Sequence, residues 1–403
     1  MTLRFHLAPG REKSLLRRHP WVFSGSVARA EGEDDDALVE ILAHDGRVLG
    51  RGLASPGASL VARVLVFGSE VLVDERLFDT RIAAAAALRA RVIPSDTTGF
   101  RVVHAEGDGL PGLVVDRYGD LLVVQASTRG MDRLRPLWLP ALTRRLAPSA
   151  ILQHNDLAAR RSEGLGLEDE VLLGAVPEGP VAYQEHGLWA TADVEGGQKT
   201  GAFLDQRENR HRVGELARGR TVLDLYSHAG GFAVHALAHD ARRVVSVDSS
   251  ARALELAVQA RRLNGLPSSP EDLVRSDVPT DLRRRVAARE RWDVVVLDPP
   301  PFARRRADLD AAARAYKDVN LLAMRLLAPG GVLFTCTCSA AVDADLFQKI
   351  VFGASLDARV PMRLVERRGA GPDHPVSLDC PEGEYLRGLL CVREADRAPE
   401  GLL

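Results

Sequence analysis

The stretch VLDLYSHAGGF, residues 222–232, predicts a buried strand that runs into a glycine-rich turn and then into a helix. Glycines in such a turn let the backbone approach a ligand closely, and the first turn of the following helix offers N–H groups without intrahelical partners. The glycine spacing differs from the G-x-G-x-x-G of dinucleotide-binding proteins, so a nicotinamide dinucleotide is disfavoured. Because a glycine-rich turn alone is a weak signal, the neighbouring strands decide its meaning.

Apolar strand patterns alternate with helix patterns throughout the chain after residue 185. Besides the first strand, four more are predicted, at RVVSVDSS (243–250), EDLVRSD (271–277), WDVVVLDPP (292–300) and GGVLFTCTCS (330–339). This alternation favours an α/β fold with a doubly wound, mostly parallel sheet that is covered by helices on both faces. Such sheets bind ligands at the carboxyl ends of their strands, where we therefore expect the functional residues.

The first four predicted strands each end at an acidic residue, namely Asp224, Asp248, Asp277 and Asp298. A carboxylate at Asp248 can accept both hydroxyls of an adenosine ribose, and one at Asp277 can accept from an adenine amino group. Asp248 and Asp277, taken singly, are explained equally well as helix caps. Four acids and a glycine turn at successive strand ends are much harder to explain as caps, and together they predict a pocket for S-adenosylmethionine.

The loop after the fourth strand reads Asp298-Pro299-Pro300-Pro301-Phe302 and is stiff, because proline fixes φ and removes a backbone donor. In methyltransferases that act on amino groups, a D/N-P-P-aromatic loop holds a flat base that carries the target nitrogen. Pro301 stands where that pattern has its aromatic residue, so the match is imperfect. An amino-group methyltransferase acting on adenine or guanine stays open as an alternative.

Two of the four cysteines, Cys336 and Cys338, lie on the fifth predicted strand. Residues two apart on a strand face the same side, with roughly parallel side chains that suit a disulfide poorly. A strand cysteine is usually a small packing residue, and we interpret Cys336 in that way. Cys338 lies nearer the carboxyl end of the strand, where a thiolate can add to C6 of a pyrimidine and thereby activate C5 for methylation.

The composition is that of a soluble globular protein, with 403 residues, 46% hydrophobic and 27% charged. The sequence contains no signal-peptide pattern, membrane span, disulfide framework or zinc motif, so we expect a cytoplasmic protein without a metal. The net charge of −2 gives no overall basic field, but arginine clusters can still contact a nucleic-acid backbone. The clusters relevant to RNA are Arg17–Arg18 and Arg304, Arg305 and Arg306.

Three regions with different patterns follow one another along the chain. Residues 1–70 contain short strands with close turns and predict a small β-barrel or sandwich. Residues 71–183 predict a small α+β domain, whose clearest element is a hairpin with its turn at Tyr118-Gly119-Asp120. Residues 184–403 form the predicted α/β domain with its Rossmann-like sheet.

Several stretches together resemble the bacterial RlmI-type methyltransferases, which make 5-methylcytosine in 23S ribosomal RNA of the large subunit. They include GQKTGAFLDQRENR, VLDLYSHAGGFAVHAL, WDVVVLDPPPFARRRADL and GGVLFTCTCSA, and the resemblance covers nearly the whole chain. It implies a class I methyltransferase domain, an N-terminal PUA domain and the cofactor S-adenosyl-L-methionine. The sequence departs from the family at Pro301, where a lysine is frequent, and at Cys336, where an aromatic residue is common.

The resemblance also implies roles for individual residues. Cys338 would be the nucleophile, Asp298 would hold the cytosine, and the segment 199–207 would close over the cofactor, with either Lys199 or Arg207 facing its carboxylate. Arg17, Arg18 and Trp21 are candidates for RNA contact in the PUA-like domain, although Trp21 is equally well explained as a packed aromatic. The predicted cofactor-binding residues are Lys199, Thr200, Gly201, Asp205, Arg207, Asp224, Tyr226, Ser227, Gly230, Asp248, Asp277 and Asp298.

The expected partner is ribosomal RNA of the large subunit, either naked or in a partly assembled subunit, and the oligomeric state, including a homodimer, is left open. Two alternatives besides the amino-group enzyme remain at this point. A ribosome-assembly factor would bind RNA without transferring a methyl group, and the strand-end acids together with Cys338 argue against it. A small-molecule methyltransferase would leave the N-terminal β module without a purpose.

Overall fold

The computed structural model describes residues 3–33, 38–197, 199–303 and 306–395, and the chain divides into two compact units. The first unit comprises Met1–Val181, Asp193–Ala202 and Pro372–Gly383. The second comprises Ala182–Ala192, Phe203–Gly371 and Glu384–Leu403. None of the helices in the described ranges is both long and apolar enough to cross a membrane.

The N-terminal part of the first unit is a six-stranded sheet with the order β2-β6-β5-β4-β1-β3. Its neighbouring strands are antiparallel except for the parallel pair β1–β4. Phe5, Ile41 and Val64 are among the buried residues of its apolar core, as the strand patterns predict. The elements are β1 (Leu3–Leu7), α1 (Lys13–Leu16), β2 (Trp21–Phe23), β3 (Val27–Glu31), β4 (Leu38–Leu42), β5 (Val48–Ala54) and β6 (Leu60–Phe67).

The rest of the first unit is built on a five-stranded sheet with the order β11-β10-β9-β8-β7. The predicted hairpin is confirmed, because Tyr118 pairs with Leu121 across a two-residue turn in which Gly119 has a φ of 62°. The elements are α2 (Glu75–Val92), β7 (Gly99–His104), β8 (Leu113–Tyr118), β9 (Leu121–Ala126), α3 (Arg129–Arg133), α4 (Arg135–Leu146), β10 (Ala150–Gln153), α5 (Ala158–Ser162) and β11 (Glu170–Leu173).

The second unit contains a seven-stranded sheet with the order β16-β15-β14-β17-β18-β20-β19, in addition to the hairpin β12–β13. The first five strands in this order are parallel, and β20 is antiparallel to both of its neighbours. The first elements are β12 (Val181–Glu185), β13 (Leu188–Ala192), α6 (Arg207–Leu216), β14 (Thr221–Leu225), α7 (Gly231–Ala238), β15 (Arg243–Asp248), α8 (Ala251–Leu263) and β16 (Leu273–Arg275). They are followed by α9 (Val278–Ala287), β17 (Trp292–Leu297), α10 (Leu309–Arg325), β18 (Leu327–Thr337), α11 (Ala344–Ala358), β19 (Met362–Arg368) and β20 (Arg387–Arg393).

The inner parallel strands β14, β15, β17 and β18 are largely buried on both faces, which explains why they read as nearly continuous apolar runs, whereas the edge strand β16 is only partly buried. In β14, Leu223 packs with α9, α10 and α11 on one face, whereas Val222 packs with α6 and α7 on the other. From β14 the chain moves outward to β15 and β16 and then returns to β17 beside β14. The strand order reverses between β14 and β17, and the carboxyl ends of these strands therefore border the crevice in which such folds bind ligands.

Candidate active site at the carboxyl ends of the sheet

The turn between β14 and α7 has an unusual backbone and little space for side chains. Tyr226, His228 and Gly230 have positive φ values of 58°, 46° and 72°. A Cβ atom added to Gly230 would lie 2.8 Å from the Cβ of Ala257, and one added to Gly231 would lie 2.5 Å from Nε of Arg210. Replacement of Gly230 is therefore disfavoured both by its φ and by its contact with Ala257, and a side chain at Gly231 would require the Arg210 side chain to move.

Asp224 and Ser227 are buried polar residues whose side-chain oxygens lack hydrogen-bond partners among the described residues. Neither carboxylate oxygen of Asp224 nor the hydroxyl of Ser227 makes a hydrogen bond to another described residue. The pKa of the Asp224 carboxyl is raised to about 7, mainly by burial; Arg261 opposes this rise, whereas Asp298 and Asp248 contribute to it. Buried polar atoms are normally hydrogen-bonded, so this pair indicates a site that is completed by a ligand.

Asp248 and Asp277 occupy different surroundings, although both were predicted to contact adenosine. Asp248 is half-buried, and its two oxygens accept hydrogen bonds from the backbone N–H groups of His228 (2.9 Å) and Ser250 (2.8 Å). Asp277 is exposed and is the N-cap of α9, where its Oδ2 accepts from the N–H and hydroxyl of Thr280. The predicted third strand was too long, since β16 ends at Arg275. Asp277 therefore serves as a helix cap.

The segment before α6 carries two more of the predicted cofactor residues. Asp205 lies in a 3₁₀ turn, Leu204–Gln206, and its Oδ2 accepts a hydrogen bond of 2.6 Å from the hydroxyl of Tyr385. Arg207 is fully buried, and its Nε donates to Glu208 Oε1 at 2.9 Å. Both side chains are therefore held by neighbouring residues of the second unit.

Lys199, Thr200 and Gly201 belong to the first unit, whereas the other predicted cofactor residues belong to the second. The hydroxyl of Thr200 donates to Asp116 Oδ2 at 2.5 Å. The carbonyl of Lys199 accepts from the side-chain amide of Gln125 at 2.9 Å, and Lys199 has a φ of 57°. These bonds hold the segment in a left-handed conformation that non-glycine residues seldom adopt.

Asp298, the residue after β17, has a partner that the sequence did not predict. The thiol of Cys336 donates to Asp298 Oδ1 at 2.8 Å, and the side-chain amide of Gln206 donates to Asp298 Oδ2 at 3.0 Å. Interpreting Cys336 only as a packing residue was therefore incomplete. Burial raises the pKa of the Cys336 thiol well above its usual range, and the nearby Asp298 raises it further. Cys336 therefore stays a protonated, poorly nucleophilic thiol.

Cys338 is the first residue after β18 and is only half-buried, whereas Cys336 is completely buried. Both pack against the same apolar cluster, as expected for residues two apart. The residues on either side of Cys338 are fixed by the hydroxyl of Tyr316, which lies 2.8 Å from the hydroxyl oxygens of both Thr337 and Ser339. Cys338 therefore stands at a well-ordered carboxyl end of the sheet as a half-buried residue.

The residues predicted to contact RNA are only partly described. Arg17 and Arg18 are exposed, and the Arg18 guanidinium carbon lies 5.0 Å from the centre of the Phe67 ring. Trp21 is half-buried, and its indole N–H donates to Glu106 at 3.0 Å, so it serves at least partly as a packed aromatic. Arg304 and Arg305 lie outside the described residues, as does the side chain of Arg306.

Sequence reasoning missed the contact between Cys336 and Asp298. It also missed Gln206, which donates to Asp298, and Asn209, whose side-chain amide donates to Gln206. Gln206 stands between two residues that were selected from the FLDQR stretch, so its position was the available signal. Its importance depends on the contact with Asp298, 92 residues later, which no local pattern reveals.

Two family models match the chain. The model of S-adenosylmethionine-dependent methyltransferases matches residues 150–387, and the model of PUA-like domains matches residues 5–67. Among curated proteins, the chain is similar to the ribosomal RNA large subunit methyltransferase I of Citrobacter koseri, with 42% identity over 97% of this chain and 99% of that protein. It is 44% identical to the protein of the same name from Aeromonas salmonicida, over 97% and 99% of the two chains.

Solved structures show the same fold at lower sequence identity. A structure described as a methyltransferase complexed with SAH is 20% identical, with a TM-score of 0.83 over 97% of this chain and 100% of that chain. An S-adenosylmethionine-dependent methyltransferase from Streptococcus mutans, also 20% identical, has a TM-score of 0.82 over the same shares. With the near full-length similarity to the curated proteins, these findings identify the chain as a member of the RlmI-type family of S-adenosylmethionine-dependent methyltransferases with an N-terminal PUA-like domain.

Proposed function

We propose that this protein methylates C5 of a cytosine in large-subunit ribosomal RNA, through a covalent adduct between Cys338 and C6 of the base. The single observation that carries the proposal is the difference between the two thiols. Cys336 is buried and donates to Asp298, whereas Cys338 is partly accessible at the end of β18. The names of the full-length relatives support ribosomal RNA of the large subunit as the substrate.

S-adenosyl-L-methionine is the cofactor of this family, and the residues at the sheet edge suit it. Asp224 offers two buried carboxylate oxygens that accept no hydrogen bond from the described part of the chain, and these oxygens suit the ammonium group of the methionine part. The Ser227 hydroxyl and the N–H groups at the start of α7 can bind its polar atoms, and Asp248 is oriented to accept from ribose hydroxyls. When bound, the cofactor supplies an electrophilic methyl group on a sulfonium.

The proposed chemistry requires a nucleophile because C5 of cytosine is poorly reactive by itself. The Cys338 thiolate forms a bond to C6, and the electron pair of the C5–C6 double bond moves toward C5, which becomes nucleophilic and accepts the methyl group. A base then removes the C5 proton, the double bond forms again, and the S–C6 bond breaks to release the thiolate. Asp298 is proposed to accept a hydrogen bond from the exocyclic amino group, which holds the base in place while Cys338 adds.

The remaining assignments are part of the same proposal. Residues 1–70 would be an RNA-binding PUA-like domain, 71–183 a central domain and 184–403 the methyltransferase domain. Arg17, Arg18 and Trp21 would contact RNA, and Arg304–Arg306 would meet phosphates near the target base. The target nucleotide would turn out of its stack to reach Cys338, because C5 is not accessible inside a helix. The protein would act in the cytoplasm.

Nucleoside mass spectrometry tests this function. Ribosomal RNA and large-subunit precursors from a strain that lacks the protein are incubated with purified enzyme and S-adenosylmethionine. We expect new 5-methylcytidine. A methylated purine would contradict the cysteine mechanism and favour an amino-group methyltransferase, and the absence of any new methyl group on either substrate would favour an assembly factor.

Replacing Gly230 with alanine should weaken cofactor binding. The new methyl group would lie 2.8 Å from the Cβ of Ala257, and the φ of 72° at this position is one that alanine rarely adopts. The turn that carries Ser227 must therefore shift. We expect an affinity for S-adenosylmethionine that is roughly tenfold lower or worse, together with a loss of about 1–3 kcal/mol in unfolding free energy. Calorimetric titration and thermal unfolding measure the two effects.

Gly219→Ala is the matched control for Gly230→Ala. Gly219 also has a positive φ, 67°, but a Cβ there has no neighbour within 4 Å. The Gly219→Ala variant should therefore have a lower unfolding free energy because of backbone strain, and an unchanged affinity for S-adenosylmethionine. Equal affinities of the two variants would contradict the assignment of the β14–α7 turn to the cofactor site.

A further inference from the structure

Asp298 stands at the end of a chain of hydrogen bonds whose direction is fixed. Arg368, whose guanidinium has donors and no acceptor, donates through Nε to Asn209 Oδ1 at 3.1 Å. Asn209 must therefore present its nitrogen to the next side chain, and its Nδ2 donates to Gln206 Oε1 at 2.6 Å. Gln206 in turn presents Nε2, which donates to Asp298 Oδ2 at 3.0 Å. The guanidinium thus determines which atom of each amide points toward Asp298.

The amides in this chain are buried, so a reversed orientation would leave polar atoms without partners. Gln206 and Asn209 are 2% and 1% exposed. Asn209 Nδ2 also donates to the carbonyl of Gly369 at 3.0 Å, and the Arg368 guanidinium donates to the carbonyl of Glu208 at 3.0 Å. The first of these bonds fixes the amide, because a reversed Asn209 would place its oxygen against the carbonyl of Gly369, and the second holds the guanidinium in place.

The second oxygen of Asp298 is held from the other side. Cys336 Sγ lies 2.8 Å from Asp298 Oδ1 and 3.3 Å from Gln206 Nε2, so the three side chains form a closed triangle. The buried thiol, protonated as described above, can only donate to the carboxylate. Both oxygens of Asp298 therefore face a donor from a side chain that is itself fixed.

We propose that Gln206, Asn209 and Cys336 are positioning residues that orient the Asp298 carboxylate toward the amino edge of the target base. The inference rests on the proposed function for the role of Asp298. A carboxylate held in this orientation accepts from the amino group of cytosine, whereas uracil presents a carbonyl oxygen at the same edge. The relay from Arg368 thereby contributes to the choice of cytosine without touching the base.

Asn209→Asp reverses the direction of the relay, whereas Asn209→Ala only interrupts it. A carboxylate at 209 still accepts from Arg368 but cannot donate to Gln206 Oε1. The Gln206 amide should then rotate, donate to the new carboxylate and turn its oxygen toward Asp298. We expect kcat/KM for RNA to fall about 100-fold in Asn209→Asp and about tenfold in Asn209→Ala, while calorimetry shows an unchanged affinity for S-adenosylmethionine in both.

Gln206→Glu gives a readout that a purely structural role would not change. In the wild-type protein, 3.0 Å separates the side-chain nitrogen of Gln206 from Asp298 Oδ2, so the new carboxyl group would lie at about the same distance from Asp298. Two carboxyl groups this close share one proton. The variant should keep activity at low pH and lose it as the shared proton dissociates with rising pH. Gln348→Glu, on the exposed surface of α11, is the matched control and should retain the wild-type pH profile.

The outcomes separate this inference from the proposed function. Wild-type enzyme that makes 5-methylcytidine, together with Asn209→Asp and Gln206→Glu variants that keep its kcat/KM and pH profile, would overturn the positioning role alone. Wild-type enzyme that makes no 5-methylcytidine would overturn the proposed function, and the positioning role with it. A pH profile altered only in Gln206→Glu, with a greater loss in Asn209→Asp than in Asn209→Ala, supports the relay.

Discussion

A Cys338→Ala enzyme is expected to lose methyl transfer to ribosomal RNA by on the order of 10⁴-fold or more, while its affinity for S-adenosylmethionine stays unchanged. The loss should be this large because no other step replaces the activation of C5 by addition of sulfur at C6. Cys338 is partly accessible and lies just past β18, so alanine should remove the nucleophile with little effect on packing. Single-turnover methyl transfer and calorimetric titration of the cofactor measure the two quantities.

Two further cysteine variants make this prediction specific. Cys391→Ala removes a buried thiol from β20 of the same sheet and should keep wild-type activity. Cys336→Ala removes one donor to Asp298 and should lower activity about 10–100-fold. If Cys336→Ala abolished activity and Cys338→Ala preserved it, the two roles would be exchanged. Activity in the double variant of Cys336 and Cys338 would exclude a cysteine mechanism.

Replacing Asp224 with asparagine should weaken cofactor binding and, at the same time, stabilise the protein without its cofactor. Asparagine cannot form the charged contact with the ammonium group of S-adenosylmethionine, so we expect an affinity about 100-fold lower at pH 8. Burial raises the pKa of the Asp224 carboxyl from 3.8 to about 7, which means that the folded state holds this proton more tightly than the unfolded state. The wild-type protein therefore loses stability as the pH rises from about 4 to about 7.

The difference in pKa at Asp224 corresponds to about 4 kcal/mol, an upper estimate because the structure can relax around the charge. Asp224→Asn remains neutral at every pH, so at pH 8 its unfolding free energy without cofactor should exceed the wild-type value by a few kcal/mol. The gain should disappear near pH 4. Denaturant unfolding at both pH values measures it.

The cofactor affinity of the wild-type protein should change with pH for the same reason. Below about pH 7 a proton competes with the ammonium group for Asp224, so the affinity should decrease as the pH falls. Asp240→Asn, an exposed acid after α7, is the control and should change neither affinity nor stability. Unchanged cofactor affinity in Asp224→Asn would remove Asp224 from the binding site.

The sequence predicted the five parallel strands of the second unit, four of which are largely buried on both faces, but it did not predict the antiparallel strands β19 and β20. Val-rich runs such as WDVVVL favour a covered parallel strand, and Asp248 and Asp298 marked the carboxyl ends of β15 and β17. Helix α8 ends at Leu263, and Gly265, with a φ of 65°, lies just beyond it, as is typical of a glycine that terminates a helix. The predicted end of the third strand was wrong, because β16 ends at Arg275 and Asp277 caps α9.

The surroundings of Asp298 could not be predicted from local patterns, because they depend on strand register and on distant segments. Leu297 pairs with Thr335, and this register alone brings the next residues, Asp298 and Cys336, side by side. A shift by one residue would turn Cys336 to the opposite face of the sheet. The amide relay is still less local, because Arg368 meets Asn209 across 159 residues.

The most direct test of the central claim is to trap the adduct on RNA that contains 5-fluorocytidine. Fluorine at C5 cannot leave as a proton does, so the bond between enzyme and C6 should persist after methyl transfer. The RNA or subunit is one in which ordinary cytidine is methylated by the enzyme, and the cross-linked peptide is identified by mass spectrometry. We predict a covalent complex joined at Cys338. A complex joined at Cys336, or no complex although ordinary cytidine is methylated, would contradict this account.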